Sequence, residues 1–302
     1  MTLPAFGADL PENSRVILLD SSSVLKSCFE GYQATRTSSY NGRALDVAGL
    51  YGYLYRTMKI YENFEFEAMV HVMDPPGGSH YRYSIYPEYK ANRKPKDPLL
   101  AAQEALMEPM LRAFGERYTC MRGVESDDVL ATMAEYLADM GHQVMVITPD
   151  KDLMQLVSDG RISVARYVDV PGGVGKTYAM YEEKEVLDVM GVRADQVADF
   201  LALVGDSSDN IPGVFKCGAK TAAKWLSDYG DLASLMTHSA DIGGKIGENL
   251  RATLPHLPLY QKLTTVLRDV PNTVWPEIPE VDDEHRLRLD DWELRDDVQA
   301  QC

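Results

Sequence analysis

Residues 123–152 read GVESDDVLATMAEYLADMGHQVMVITPDKD, and this stretch decides the fold. Asp127–Met140 places apolar residues at helical spacing. Gly141 follows as a C-cap, because glycine turns left-handed without steric cost. Gln143–Thr148 (QVMVIT) is then a short apolar run between polar residues, the pattern of a strand covered on both faces. The helix opens on Glu125, Asp127 and Asp128, and the strand is followed by Asp150 and Asp152.

Three more runs read as buried strands: Val16–Asp20 (VILLD), Ala68–Asp74 (AMVHVMD) and Arg161–Val168 (RISVARYV). Strands alternating with helical patterns predict an α/β fold with a mostly parallel central sheet flanked by helices. Past about residue 180 the strands stop. Glu182–Met190, Asp195–Val204, Lys220–Tyr229 and Glu248–Thr253 predict short helices joined by glycine-containing turns. The expected division is a tail at 1–14, an α/β core at 15–180, a helical lobe at 181–268 and an acidic tail at 269–302.

Composition narrows the class. At 302 residues with 45% hydrophobic content, the chain can bury a sizeable core. No run of eighteen apolar residues exists and the N-terminus lacks a signal pattern, so a cytoplasmic protein with no membrane segment is expected. Cys28, Cys120, Cys217 and Cys302 form no CxxC pair, which points to a reduced protein without zinc. The net charge of −16 argues against a nucleic-acid partner at first sight. Its distribution weakens that objection: His80–Lys96 (HYRYSIYPEYKANRKPK) carries five Lys/Arg against one Glu.

Three strands end at or just before an acid: Asp20, Asp74, and Asp150 with Asp152. Glu125, Asp127 and Asp128 introduce the central helix, and Asp206 and Asp209 lie in GDSSDN at the junction with the helical lobe. Sites in open α/β sheets lie beyond the carboxyl ends of the strands, so five segments deliver nine carboxylates to one edge. Crowded carboxylates raise one another's pKa and need protons or cations. Aspartate oxygens without His or Cys favour Mg²⁺ or Mn²⁺ over Zn²⁺, and two such ions can hydrolyse a phosphodiester. Each motif alone has a plainer reading as a helix cap or an Asx turn. Five together favour the metal reading. PGGVGKT at 171–177 imitates a phosphate-binding loop, but Val170 stands where its first Gly belongs. A hairpin turn is the better reading, and an ATPase the weaker hypothesis.

VILLDSSS, VMDPPG, YRYSIYPEYKANRK, GVESDDVLATMA, TPDKDLMQLV, FLALVGDSSDNIPGV and GAKTAAKWL, in this order, resemble the 5′-nuclease or flap endonuclease family. That family includes the 5′→3′ exonuclease domain of bacterial DNA polymerase I and stand-alone bacteriophage enzymes. The resemblance implies two Mg²⁺ ions, with Mn²⁺ as a substitute. Asp20, Asp74, Glu125 and Asp127 would hold one ion and Asp150, Asp152, Asp206 and Asp209 the other, with Asp128 in support. It also implies a helical arch at about 78–115, in which Lys90 and Arg93 contact the scissile phosphate and Tyr89 stacks on an unpaired base. Arg82 and Lys94 become further phosphate contacts. Asp195–Tyr229 resembles a helix–three-turn–helix element whose turn, with Gly213 and Gly218, offers backbone N–H groups to duplex phosphate, aided by Lys220 and Lys224.

Two departures stand out. Pro149 replaces the usual Gly before Asp150, and Lys216 replaces a Gly of the turn that often binds K⁺ in relatives. Lysine is strained there if the position needs a positive φ, which weakens the K⁺ inference. The implied substrate is branched or 5′-ended DNA, with RNA–DNA hybrids in the same class. Flap endonuclease, exonuclease and RNase H-like activities stay open. A monomer of phage origin, working alone or with replication partners docked on its acidic tail, is the expected setting.

Overall fold

The computed structural model describes residues 10–31, 37–40, 43–158, 160–170, 172–271 and 273. The expected acidic tail falls almost wholly outside the described residues, as do most of the N-terminal tail, Pro171 and Cys302. Among the described residues there are eight strands: β1 (Arg15–Asp20), β2 (Thr37–Tyr40), β3 (Arg43–Asp46), β4 (Ala68–Met73), β5 (Arg117–Cys120), β6 (Gln143–Ile147), β7 (Ile162–Asp169) and β8 (Lys176–Tyr181). The helices before β8 are α1 (Ser21–Gly31), α2 (Ala48–Asn63), α3 (His80–Ile85), α4 (Pro98–Phe114) and α5 (Ser126–Asp139). Those after it are α6 (Glu183–Met190), α7 (Val197–Val204), α8 (Ala219–Tyr229), α9 (Leu232–Thr237), α10 (Gly244–Thr253) and α11 (Leu257–Thr264).

Six strands form one sheet in the order β5-β4-β1-β6-β7-β8, all parallel except β8, while β2 and β3 make a separate hairpin. β1 and β4 sit side by side in the interior of the sheet and are buried along almost their whole length, as strands covered on both faces need no polar alternation. Successive side chains of β1 serve opposite faces. Val16 and Leu18 join the core under α5, and Ile17 and Leu19 the core under α1, α2 and α4. The α5-side core runs on without a break into Phe200, Leu203, Trp225 and Leu250 of the later helices, so packing holds them against the sheet. Strand order reverses beside β1, the position where such sheets open a crevice at their carboxyl ends.

The four strands read from sequence appear with ends shifted by one residue at most. The hairpin reading of 171–177 agrees with the antiparallel pairing of β7 and β8. β5 and the β2–β3 hairpin were not anticipated; RYTC and TSSY carry too little apolar signal for periodicity to find them. The segment carrying Lys90 and Arg93 is a correction. It is a series of turns between α3 and α4, not helix, and Lys90 sits at φ 56°. Pro87 near its start and Pro95 just after it lack the N–H that a continuous helix through this segment would need. Among the described residues no helix is long and apolar enough to cross a membrane.

Candidate metal and nucleic-acid site

The carboxyl ends of β1, β4 and β6 set the floor of the site. Asp20, the last residue of β1, is completely buried. Its Oδ1 accepts from the Ser23 amide at 3.2 Å and its Oδ2 from the Thr148 hydroxyl at 2.7 Å. Asp74 follows β4 and is exposed. Its amide donates to Ser22 Oγ at 2.8 Å, and its Oδ1 accepts from the Ser126 amide at 2.8 Å at the start of α5. That bond places Asp74 against the helix N-terminus, where Glu125, Asp127 and Asp128 meet the positive end of the macrodipole. After β6, Asp150 Oδ1 accepts from the Asp152 amide at 2.9 Å, folding the two acids into one turn. In GDSSDN, Asp206 Oδ1 accepts from Ser208 N and Oγ at 2.7 and 2.8 Å, an Asx turn that delivers Asp209 to the same cleft. Glu125, Asp127, Asp150, Asp152, Asp206 and Asp209 line that cleft together, with Lys90 and Arg93 on its wall.

The electrostatics follow from this crowding. Burial, reinforced by Asp74, pushes the Asp20 carboxyl up to about 7 against the opposing hydrogen bonds from Thr148 and Ser23. Desolvation in the cleft, with Asp150 and Asp206 adding repulsion, raises Asp152 to about 8. Asp127 is raised well above the usual carboxylate range by desolvation and then by Asp20, Asp150 and Asp74. Asp152 Oδ1 is buried with no hydrogen-bond partner. Protein cations hold several of the other carboxylates: Lys90 pairs with Glu125 and lies 4.0 Å from Asp209, and Arg93 reaches Asp209 Oδ1 at 2.6 Å. Among the described residues no group of three or more His, Cys, Asp or Glu is drawn in tightly enough to hold an ion as it stands.

Three expectations change here. Arg82, read as a phosphate contact, is 3% exposed and faces inward. Its guanidinium forks onto Asp128 at 2.6 and 2.9 Å, reaches Glu125 at 3.0 Å, and donates to the carbonyls of Leu263 and Thr265. Asp128 takes a further bond from the Leu267 amide at 2.8 Å, so it braces the later helices against α5 and does not line the cleft. Tyr89, read as a stacking platform, is 2% exposed. Its hydroxyl reaches Asp209 at 2.8 Å and Glu125 at 3.1 Å, and its ring lies 4.7 Å beneath the Lys90 ammonium. Burial, then Glu125 and Asp209, push the Tyr89 hydroxyl far above its ordinary pKa, so it remains a donor.

The turn at 86–93 is clasped to GDSSDN. Lys90 N donates to Asp209 O at 3.1 Å, Asn92 to Ser207 O at 2.5 Å, Arg93 Nε to Ser208 O at 3.1 Å, and Asn210 to Glu88 O at 2.8 Å. Lys94 is exposed on the same turn. A cavity of about 650 Å³ opens between this turn, α4 and the 74–78 loop, with Asp74 and Glu125 in its lining.

In the later helices, Gly213 has φ 65° and packs so closely that a Cβ there would lie 2.4 Å from the Gly205 amide nitrogen. Gly218 is the N-cap of α8, while Lys220 and Lys224 are exposed on that helix, Lys224 paired with Asp228. Lys216 does adopt a positive φ, 63°, as the departure from glycine raised. Residues that the sequence did not single out complete the site: Ser22, Ser126 and Thr148 orient Asp74 and Asp20. Gln155 ties the 152–156 turn to Thr264 O and Val266 N. Only Thr148 left a sequence signal, as a hydroxyl residue ending a strand before two acids.

Comparison with known proteins agrees with this fold. A family model described as 5′-3′ exonuclease, N-terminal resolvase-like domain, matches residues 15–191, and one described as 5′-3′ exonuclease, C-terminal SAM fold, matches residues 192–285. A short match to an enoyl reductase FAD binding domain model covers 281–302, outside the described residues. The chain is 34% identical over 280 residues to DNA polymerase I of Mycobacterium tuberculosis and 35% over 257 residues to the thermostable DNA polymerase I of Thermus aquaticus. Those alignments cover 92% and 85% of this chain but 29% of each relative's length. Among solved structures, a T5 5′-exonuclease with zinc ions bound shares the fold at a TM-score of 0.66 and 19% identity, covering 93% of this chain and 99% of that one. The catalytic core of Rad2 in complex with DNA substrate does so at 0.55 and 16%, covering 93% and 87%.

Proposed function

The chain belongs to the 5′-3′ exonuclease family, and from that premise we propose that it is a structure-specific, Mg²⁺-dependent nuclease. It hydrolyses DNA phosphodiesters near a single-strand/double-strand junction or a free 5′ end, leaving 5′-phosphate and 3′-hydroxyl products. The observation that carries the reading is the convergence of six carboxylates from three segments in one cleft, beside Lys90 and Arg93.

The donor chemistry of the residues suits divalent ions, which would draw the acids together on binding. The donors are all hard oxygens, Asp152 Oδ1 is buried without a partner, and Asp20, Asp127 and Asp152 resist ionisation without added positive charge. Asp20, Asp74, Glu125 and Asp127 would hold one ion and Asp150, Asp152, Asp206 and Asp209 the other, with Mn²⁺ able to substitute. When bound, such ions lower the pKa of a water and offset charge on the leaving oxygen. Lys90 and Arg93, held beside the acids by the clasp to GDSSDN, contact the scissile phosphate and stabilise the charge that develops on it. Tyr89 keeps its proton and orients Glu125 and Asp209 from below.

Residues 15–180 would form the nuclease core, with the arch at about 78–115, and 181–268 the duplex-binding lobe. Gly213, Gly218, Lys220 and Lys224 would meet backbone phosphate. The protein would act as a monomer in the cytoplasm, taking RNA–DNA hybrids as a further substrate class and working with replication partners. The test is a 5′-labelled flap duplex incubated with Mg²⁺ or with chelator, alongside a nicked duplex and an RNA–DNA hybrid. Cutting with Mg²⁺ alone, lost in Asp206→Ala while binding persists, is expected. Unchanged cutting in chelator, or none with Mg²⁺, would defeat the proposal.

A further inference from the structure

We propose that Thr148 is a positioning residue that couples the two groups of acids and fixes their spacing, an inference that rests on the two-ion reading above. Thr148 directly follows β6 and is 1% exposed. Its hydroxyl has two neighbours, and their chemistry assigns both roles. The Asp150 amide, 2.9 Å away, can only donate, so it takes an oxygen lone pair. The hydroxyl proton is left for Asp20 Oδ2 at 2.7 Å. Asp150 passes the constraint on, since its own Oδ1 accepts from the Asp152 amide at 2.9 Å. A continuous chain therefore runs from Asp20, in the first group, through Thr148 to Asp150 and Asp152, in the second.

The backbone around that hydroxyl is anchored on both sides. Thr148 N donates to Ala165 O at 3.1 Å, and Pro149 O accepts from Arg166 Nε and Nη2 at 3.2 and 2.8 Å. Proline fixes its own φ and holds the preceding residue extended. Pro149, a departure from the pattern of relatives, thus stiffens the residue whose hydroxyl makes the link. Thr148 is the donor to Asp20 Oδ2, while Asp20 Oδ1 is held from the other side by the Ser23 amide. Removing the hydroxyl frees one end of a fully buried carboxylate and separates it from the Asp150 turn.

The experiment compares wild type, Thr148→Val, which keeps the shape without the hydroxyl, and Thr148→Ser, which keeps the hydroxyl. Mg²⁺ binding is followed by calorimetry without DNA, and kcat and KM are measured on the flap duplex. For Thr148→Val, ion affinity and kcat should each fall by roughly 10–100-fold, the usual cost of losing a group that orients a ligand, with KM within about twofold. Thr148→Ser should recover most of both. Pro149→Gly, which leaves the hydroxyl in place but loosens it, should weaken Mg²⁺ binding by a smaller factor, and it serves as the test if Thr148→Val does not fold. A Thr148→Val protein that binds Mg²⁺ and turns over like wild type overturns the proposal alone, as does failure of the Ser rescue. With Thr148→Val unfolded, wild-type Mg²⁺ affinity in Pro149→Gly does the same. A wild-type protein that binds no Mg²⁺ overturns the two-ion reading itself.

Discussion

Replacing Arg82 by methionine tests the buried network that joins three parts of the molecule. The guanidinium is 4% exposed, and its partners Asp128 and Glu125 are 1% and 8% exposed, so solvent screens none of the three. Burial alone would lower the Arg82 pKa, but Asp128 and then Glu125 more than reverse it, holding the cation firmly charged. Arg82→Met leaves Asp128 without its fork, removes one of the cations on Glu125, and orphans the carbonyls of Leu263 and Thr265. Breaking a buried pair from one side costs about 3–5 kcal/mol, because the remaining charge stays desolvated. Against a total stability of about 5–15 kcal/mol, that is a large fraction. For a protein this large it corresponds to a fall in Tm of roughly 6–20 °C.

Urea unfolding in chelator, followed by circular dichroism, measures the loss. Arg82→Met/Asp128→Leu should be less destabilised than the two single variants together, since it removes both charges. Below the unfolding range, Arg82→Met should keep the wild-type salt slope for duplex binding, because a lost phosphate contact would reduce that slope by about one. A loss under about 1 kcal/mol, or a reduced salt slope, would refute the bracing role and restore the phosphate role.

The acid cluster makes stability fall with pH. Asp20 and Asp152 bind protons more tightly folded than unfolded, so their contribution is full below about pH 4 and is lost as pH rises through about 7 and 8. In chelator, unfolding free energy should drop by a few kcal/mol between pH 5 and 8, and saturating Mg²⁺ should flatten the trend; a rise over that range would contradict the assignment. Gly213→Ala should lower stability by roughly 1–3 kcal/mol and weaken duplex binding, because the methyl meets the Gly205 backbone and φ 65° disfavours alanine. Thermal melts and a duplex titration check both effects. Tyr89→Phe should reduce kcat while leaving duplex affinity within about twofold, as it removes the donor shared by Glu125 and Asp209 and no exposed surface. Steady-state kinetics on the flap duplex decide that point.

The sequence by itself determined four strands of the sheet and the acids that rim them. β1, β4, β6 and β7 are apolar runs set by local periodicity, and Asp20, Asp74, Asp150 and Asp152 mark where those runs end. A strand's carboxyl end is a local fact, so residues placed there share one edge once the strands lie parallel. Only the tertiary structure decided what the polar side chains between them do. Arg82 looked like a surface cation in a basic stretch until the chain brought Asp128 and Leu263, 46 and 181 residues distant, around it. Tyr89 turned inward because Glu125 and Asp209 offered its hydroxyl partners that a buried ring requires. Thr148 acquired its role only when β1 came to lie beside β6 and Asp20 within reach. Periodicity records which face of an element is apolar, whereas a hydrogen bond depends on two atoms meeting, and folding alone brings distant atoms together.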